Sequence, residues 1–152
     1  MTGGRAEIGC YHGVMNTRDP QSITALLRGI GISPTSQRLK IAEAMFSCMT
    51  HPSADQILAM VNVRKTEVSK ATVYNTLSLF VKKGLIREVI VDPNKVLYDA
   101  NTRDHHHFYD IVTGELFDID AAEVPIHSLP PIPSDRIFEG LDIIIRTRPA
   151  AA

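Results

Sequence analysis

Apolar residues recur at helical spacing through residues 20–83, and alternating, strand-like runs replace them from residue 85 onward. Asp19 followed by Pro20 is typical of a helix start, and Gly29 or Gly31 of its end, so the first predicted helix is short. Further helices are predicted to open within residues 33–38 and 52–55, each carrying apolar positions three or four residues apart.

The clearest predicted helix covers residues 69–83. Ser69 is a natural N-cap, and Gly84 suits the residue that follows the last turn. The apolar residues between them fall at i, i+4, i+7 and i+8 and predict one buried stripe: Val73, Leu77, Phe80 and Val81. Strand-like runs at 85–91 and 95–98 then flank a turn at 92–94. Helices followed by a tight hairpin are the order of a winged helix, whose last helix enters the major groove of DNA.

The remainder of the chain predicts a second, smaller unit. Runs at 107–111 and 115–119 flank a hairpin turn at 112–114, a Pro-rich segment follows, and 141–146 alternates as one more strand. Three short strands leave an open edge, which favours pairing with a second copy. The predicted fold is therefore α+β, an N-terminal winged helix-turn-helix plus a small C-terminal α/β dimerisation domain. The expected boundaries are a flexible N-terminal tail over 1–19, a DNA-binding domain over 20–99, and a dimerisation and metal-binding domain over 100–152.

Composition adds a division of charge to this pattern. Of the 152 residues, 44% are hydrophobic and the net charge is −1. Residues 1–100 hold 12 Lys and Arg against 8 Asp and Glu, a net of +4, whereas residues 101–152 hold 4 against 9, a net of −5. This asymmetry fits a polyanion-binding half joined to a cation-collecting half. No apolar run has the length of a signal peptide or a membrane span, so a cytoplasmic protein without a membrane partner is expected.

Polar groups on the outer face of the 69–83 helix are candidates for nucleic-acid contacts. They can reach phosphates or base edges, as can a basic residue near the preceding helix start: Lys70, Thr72, Tyr74, Asn75 and Arg38. Further phosphate contacts are expected from Lys40, Lys82, Lys83 and Arg87. Each residue alone would be an ordinary solvated side chain, but together with the helices and hairpin they favour DNA binding.

Three consecutive imidazoles, His105, His106 and His107, mark a candidate metal site. In an extended strand, His105 and His107 point to one face and His106 to the other. Two imidazoles on one face, joined by carboxylates, suit Mn²⁺, Fe²⁺ or Zn²⁺. The two cysteines, Cys10 and Cys48, form no Cys-x-x-Cys pair, which argues against a four-thiolate zinc site and a disulfide framework.

The chain resembles the Fur superfamily of metalloregulators over about residues 26–148. The resemblance lies in Ser-Lys-Ala-Thr-Val-Tyr-Asn-Thr-Leu at 69–77, Phe-Val-Lys-Lys-Gly-Leu at 80–85, and Gly-Ile-Ser-Pro-Thr-Ser-Gln-Arg at 31–38. It implies a homodimer that binds an AT-rich inverted repeat in double-stranded DNA, with Thr72, Tyr74 and Asn75 reading bases.

The same resemblance implies a regulatory metal site. In the peroxide-sensing branch of the family, a His before the third helix, an acid after the wing, two alternate His and an acid in the next strand hold the ion. Those positions are occupied here by His51, Asp99, His105, His107 and Asp118. Fe²⁺ or Mn²⁺ is the implied ion, with Zn²⁺ a candidate in vitro, and binding would fix the angle between two DNA-reading heads. A second metal or haem site is a weaker prediction, from Asp104, His106, Glu123 and His127.

The chain departs from many relatives where they carry Cys-x-x-Cys pairs. Asp110 and Thr113 stand at the first pair, so a structural zinc is not expected. This pattern most resembles the Irr branch of iron regulators, which implies control of iron and haem homeostasis. Haem is therefore a further candidate cofactor, with Cys10 and His12 as ligands. A peroxide sensor that uses the same five ligands is the alternative.

Two other classes of function have less support in the sequence. A metalloenzyme would need a general base and a substrate pocket, but no His-Glu-x-x-His motif, nucleophilic triad or Gly-rich phosphate loop occurs. A metal-storage or scaffolding protein would lack sequence-specific DNA binding. We therefore expect a non-enzymatic regulator without a small-molecule substrate. A repressor is favoured, although the sequence leaves activation open.

Overall fold

The computed structural model describes residues 19–48 and 50–150, and helices precede strands as predicted. Four α-helices come first: α1 (Pro20–Gly29), α2 (Ser36–Ser47), α3 (Ala54–Val61) and α4 (Lys70–Lys82). Five strands follow: β1 (Arg87–Asp92), β2 (Lys95–Asp99), β3 (His105–Asp110), β4 (Leu116–Asp120) and β5 (Ile144–Thr147). A short 3-10 turn, Ala121–Glu123, follows β4.

A polar side chain caps the start of every helix. The N-caps are Asp19, Thr35, Ser53 and Ser69, and each accepts a hydrogen bond from a backbone N–H three residues on. Such a cap contributes about 1 kcal/mol. Helix α2 begins at Ser36, within the predicted range of 33–38, because Thr35 is the residue that caps it.

The four helices and the strands after them enclose the main apolar core. The predicted stripe of α4 supplies three fully buried side chains, Val73, Leu77 and Phe80, while Val81 is only half-buried. They pack with Ile23 and Leu27 of α1 and with residues of α2, α3 and β2. Packing on α4 thus fixes one face of that helix inward and leaves the opposite face for solvent.

The strands form two separate sheets. Strands β1 and β2 make an antiparallel hairpin with a register shift between Ile90 and Asp92. The second sheet has the order β4-β3-β5, with β4 antiparallel and β5 parallel to β3. Strand β3 begins at His105, two residues before the predicted start, and β5 begins at Ile144 rather than 141.

A second apolar core joins the β1–β2 hairpin to the three-stranded sheet. Val89, Val91 and Leu97 of the hairpin pack with Tyr109 and Leu116 of the sheet. Polar contacts flank this core: Lys95 Nζ donates to the Gly114 carbonyl at 3.3 Å, and Arg146 donates to the Val91 carbonyl at 2.9 Å. The hairpin and the sheet therefore share buried surface.

Over the residues described, no helix combines the length and hydrophobicity that a bilayer crossing requires.

Candidate metal centre and nucleic-acid surface

Five side chains converge where the helical half meets the three-stranded sheet. They are the five that the sequence analysis names as a regulatory set: His51, Asp99, His105, His107 and Asp118. One nitrogen or oxygen from each lies within 4.8 Å of all the others. Side chains from positions 51 to 118 thus meet within the space of one coordination sphere.

The local fold explains why these groups meet. The Tyr98 backbone N–H donates to the Pro52 carbonyl at 2.9 Å, which ties the loop before α3 to strand β2. This tie brings His51 beside Asp99, the last residue of β2. In the second sheet, strand alternation turns His105 and His107 to one face, and Asp118 pairs with His107 across β3 and β4.

The separations fit one bound ion. The Nε2 atoms of His105 and His107 are 2.9 Å apart, and they lie 2.8 and 3.2 Å from Oδ2 of Asp99. His51 Nε2 lies 2.8 Å from Asp118 Oδ1 and 3.3 Å from Asp99 Oδ2. Ligand atoms about 2.1 Å from a shared ion are roughly 3.0 to 3.4 Å apart in octahedral or tetrahedral geometry. The donor set therefore fits a divalent cation without a change of fold.

Outer hydrogen bonds orient two of the three imidazoles. The Nδ1–H group of His105 donates to the Arg103 carbonyl at 2.7 Å, and that of His51 donates to the Leu116 carbonyl at 3.1 Å. A proton held on Nδ1 leaves the Nε2 lone pair for a metal, which is the usual arrangement of ligating histidines. His107 is fully buried, and its Nδ1 has no hydrogen-bond partner among the described residues.

Asn101 contacts both carboxylates. Its backbone N–H donates to Asp99 Oδ1 at 2.7 Å, and its side-chain amide donates to Asp118 Oδ2 at 3.2 Å. The Asn101 Oδ1 in turn accepts the Arg103 N–H at 3.2 Å. Asn101 was not among the residues predicted from the sequence, although Asp-x-Asn-x-Arg at 99–103 has the spacing of two successive Asx turns.

Without an ion, protons balance the two carboxylates. Burial opposes a charge on His51 and His105, but hydrogen bonds with Asp118 and Asp99 outweigh it and raise their pKa values to about 9 and about 10. Burial would raise the pKa of Asp99, yet hydrogen bonds from the three imidazoles hold it far below its usual range. Burial lowers the pKa of His107. Two imidazolium groups thus face two carboxylates, a charge balance that one divalent cation would also satisfy.

The donor set is selective by chemical type. Three imidazole nitrogens and two carboxylate oxygens suit Fe²⁺, Mn²⁺ or Zn²⁺, and no thiolate is among them. Four of the five groups are buried or nearly so, whereas the Asp118 side chain is 41% exposed. Solvent therefore reaches the centre at Asp118.

The second predicted metal cluster is not assembled. His106 faces away from the five-residue centre, and its Nδ1 accepts the Ile143 N–H at 3.3 Å. Asp104, Glu123 and His127 are exposed, and no further group of three or more ligand side chains occurs in the parts of the chain described. Residues 124–143 contain neither helix nor strand, so no regular element carries His127 toward His106. The candidate haem ligands Cys10 and His12 lie outside the described residues.

The exposed face of α4 carries the predicted DNA-contacting side chains. Tyr74 is 40% exposed, Asn75 and Lys70 are exposed, and Thr72 is half-buried with its hydroxyl 2.8 Å from that of Ser69. Lys70 pairs with Asp55 at 3.2 Å. An open groove between α2 and α4 brings together three of the five predicted residues with four that the sequence analysis did not name: Arg38, Thr72 and Asn75 with Thr35, Gln37, Thr76 and Leu79.

Several of the predicted phosphate-binding side chains already have partners. Arg38 donates to the Ser33 carbonyl at 3.0 Å. Lys40 pairs with Glu67 and Arg87 with Asp142, so these two cations are engaged within the protein. Lys82 and Lys83 are exposed.

Comparison with known proteins gives a family match over most of the described chain. Residues 30–128 match the model of the ferric uptake regulator family. A peroxide-responsive repressor PerR of Staphylococcus aureus (strain Mu50) is 34% identical over 94 residues, which cover 62% of this chain and 64% of the relative. The matched part of the chain thus spans just under two thirds of the length of that relative.

Solved structures of the same fold include several metal-linked regulators. A zinc-bound manganese uptake regulator has a TM-score of 0.65 at 19% identity, and the match covers 84% of this chain and 98% of the chain of that regulator. The ferric uptake regulator of Pseudomonas aeruginosa with manganese has a TM-score of 0.63 at 24% identity, covering 84% and 98%. That of Helicobacter pylori has a TM-score of 0.65 at 13% identity, covering 89% and 94%. At these identities the likeness establishes a shared fold.

Proposed function

Because the chain belongs to the ferric uptake regulator family, we propose that it is a metal-responsive transcription regulator that binds DNA as a homodimer. The observation that carries the proposal is the convergence of His51, Asp99, His105, His107 and Asp118 within 4.8 Å. Burial of charged groups is costly, and in this cluster either two imidazolium protons or one divalent cation balances the two carboxylates, which supports a binding role. A divalent cation bound there would neutralise both carboxylates.

In the proposed mechanism, metal binding acts on DNA binding because the five ligands come from two parts of the fold. His51 and Asp99 belong to the part of the chain that holds α4, whereas His105, His107 and Asp118 belong to the three-stranded sheet. An ion shared by both groups stabilises the arrangement in which the two parts are docked. In a dimer formed through the C-terminal half, that arrangement fixes the spacing of two α4 helices.

The proposed DNA contact uses the exposed face of α4. Tyr74 and Asn75 project where an α-helix in the major groove would meet base edges, and Lys70 would exchange its exposed partner Asp55 for a phosphate. The proposed target is an AT-rich inverted repeat, by resemblance to the family, and the proposed outcome is repression. Fe²⁺ or Mn²⁺ is the proposed resident ion, on the nitrogen and oxygen donors.

Two finer assignments remain open as proposals. Relatives at 34% identity include a peroxide-responsive repressor, which favours peroxide sensing through an Fe²⁺ ion at the same centre. The absence of cysteine at Asp110 and Thr113 favours the Irr branch, with iron or haem status as the signal. The two assignments differ in signal and share the same five ligands.

Metal-dependent DNA binding tests the proposal. A duplex is selected from random sequences with the Mn²⁺-loaded chain, and its affinity is measured with and without Mn²⁺ for wild type, His107→Ala and His127→Ala. We expect Mn²⁺ to tighten DNA binding of wild type by about tenfold, a typical coupling between two sites. The exposed control His127→Ala should respond as wild type does, and His107→Ala should lose the response. Equal Mn²⁺ responses in wild type and His107→Ala would refute the assignment.

A further inference from the structure

Asn101 lies between the two groups of candidate ligands and bonds to one carboxylate from each. It stands in the link between β2, which ends at Asp99, and β3, which begins at His105. These contacts bear on how the two carboxylates are presented to a metal ion, and their meaning rests on the proposed metal-binding function.

In each carboxylate, one oxygen accepts a hydrogen bond from Asn101 and the other points toward the five-residue centre. Asp99 accepts the Asn101 backbone N–H with Oδ1 and turns Oδ2 to the imidazoles. Asp118 accepts the Asn101 amide with Oδ2 and turns Oδ1 to His51. An oxygen occupied by an N–H donor is turned away from an ion, so only one oxygen per carboxylate is free to ligate.

We propose that Asn101 is a positioning residue that holds Asp99 and Asp118 as one-oxygen ligands of the bound ion. Three imidazole nitrogens and two single carboxylate oxygens then give five protein ligand atoms. Removal of the amide frees Asp118 to turn and offer both oxygens.

Asn101 reaches the two carboxylates in different ways, and only one of the two hydrogen bonds depends on its side chain. The bond to Asp99 comes from the backbone N–H and survives any substitution other than proline. The bond to Asp118 comes from the side chain and spans 17 residues of sequence. A side-chain substitution therefore spares the bond to Asp99 and removes the bond to Asp118, the most exposed of the five ligands, together with the bond that Asn101 Oδ1 accepts from the Arg103 N–H.

The test uses Co²⁺ as a spectroscopic probe in the full chain. Wild type, Asn101→Ala and the control Asn94→Ala, at an exposed asparagine in the β1–β2 turn, are stripped of metal and titrated with Co²⁺ and Mn²⁺. Visible Co²⁺ bands weaken as the coordination number rises from five to six, so they report how many oxygens ligate. Thermal unfolding of the ion-free proteins checks that each variant is folded.

We expect Asn101→Ala to bind both ions about tenfold more weakly, as for the loss of an outer hydrogen bond to a ligand, and to show weaker Co²⁺ bands per bound ion. Asn94→Ala should match wild type in affinity and spectrum. An Asn101→Ala variant with the affinity and spectrum of wild type would overturn the inference while leaving the metal centre intact. Absence of saturable binding by wild type would instead overturn the metal centre itself, and this inference with it.

Discussion

At the scale of single residues, the centre exchanges protons for a metal ion. With pKa values of about 9 and about 10, His51 and His105 are both in the charged imidazolium form near pH 7.5 in the ion-free protein. Metal ligation requires neutral imidazoles, so those two protons must leave. We expect about two protons to be released for each Mn²⁺ bound, measured with a pH indicator in weak buffer.

The sign of the pH dependence follows from the same exchange. Raising the pH from 7 toward 9 or 10 removes the competing protons, so Mn²⁺ affinity should rise across this window and flatten above it. His51→Gln should bind more weakly and release about one proton fewer per ion, because one raised pKa is lost. His127→Gln, at an exposed position, should leave both quantities unchanged. Release near zero in wild type would contradict the protonated pairs.

The five candidate ligands could be named from the sequence, but the groups that orient them could not. Strand periodicity places His105 and His107 on one face, and the family resemblance supplies the other three. The partners of the ligands are carbonyls of Arg103 and Leu116 and the amide of Asn101. Carbonyl positions depend on how a loop closes, and sequence spacing carries little information on that.

At the scale of secondary structure, glycine geometry ends helix α4. Gly84 follows α4 with φ +70°, a conformation that costs other residues about 1 kcal/mol. A Cβ added there would meet no atom within 4 Å, so the cost is conformational alone. Gly84→Ala should therefore lower the free energy of unfolding by about 1 kcal/mol in urea titrations.

Gly29 provides the matched control for that substitution. It also has nothing within 4 Å of an added Cβ, but it lies in α1 without a positive φ. Gly29→Ala should be neutral or stabilise the protein by up to about 0.5 kcal/mol, because alanine favours helix. Equal effects at both positions would show that the backbone conformation after α4 is not the cause.

The elements were more predictable than their pairing. Caps and apolar stripes indicated α1, α3 and α4 because both are local features. The early start of β3 and the parallel pairing of β5 depend on partners distant in the chain: Asp110 pairs with Thr147, for example. In the Pro-rich segment between β4 and β5, residues 124–143 contain neither helix nor strand.

At the scale of the whole molecule, two structures join the helical half to the sheet. One is the five-residue centre, and the other is the second apolar core between the β1–β2 hairpin and the sheet. Only the five-residue centre was predicted from the sequence. Strand alternation alone does not indicate that one face of the hairpin would meet the second sheet rather than the helices alone.

The second core predicts that the two halves unfold together even without metal. Val91 is 0% exposed in that core, so Val91→Ala should lower the free energy of unfolding by about 2 kcal/mol, from lost burial and an unfilled cavity. The same substitution at Val63, which is 80% exposed, should change the free energy of unfolding by less than about 0.5 kcal/mol.

Urea unfolding of chelator-treated protein, followed by circular dichroism and by tyrosine fluorescence, should give one coincident transition in wild type. Because the ligands are untouched in Val91→Ala, added Mn²⁺ should still raise its midpoint. Two separate transitions in the ion-free wild type would mean that the halves are held together by the ion alone.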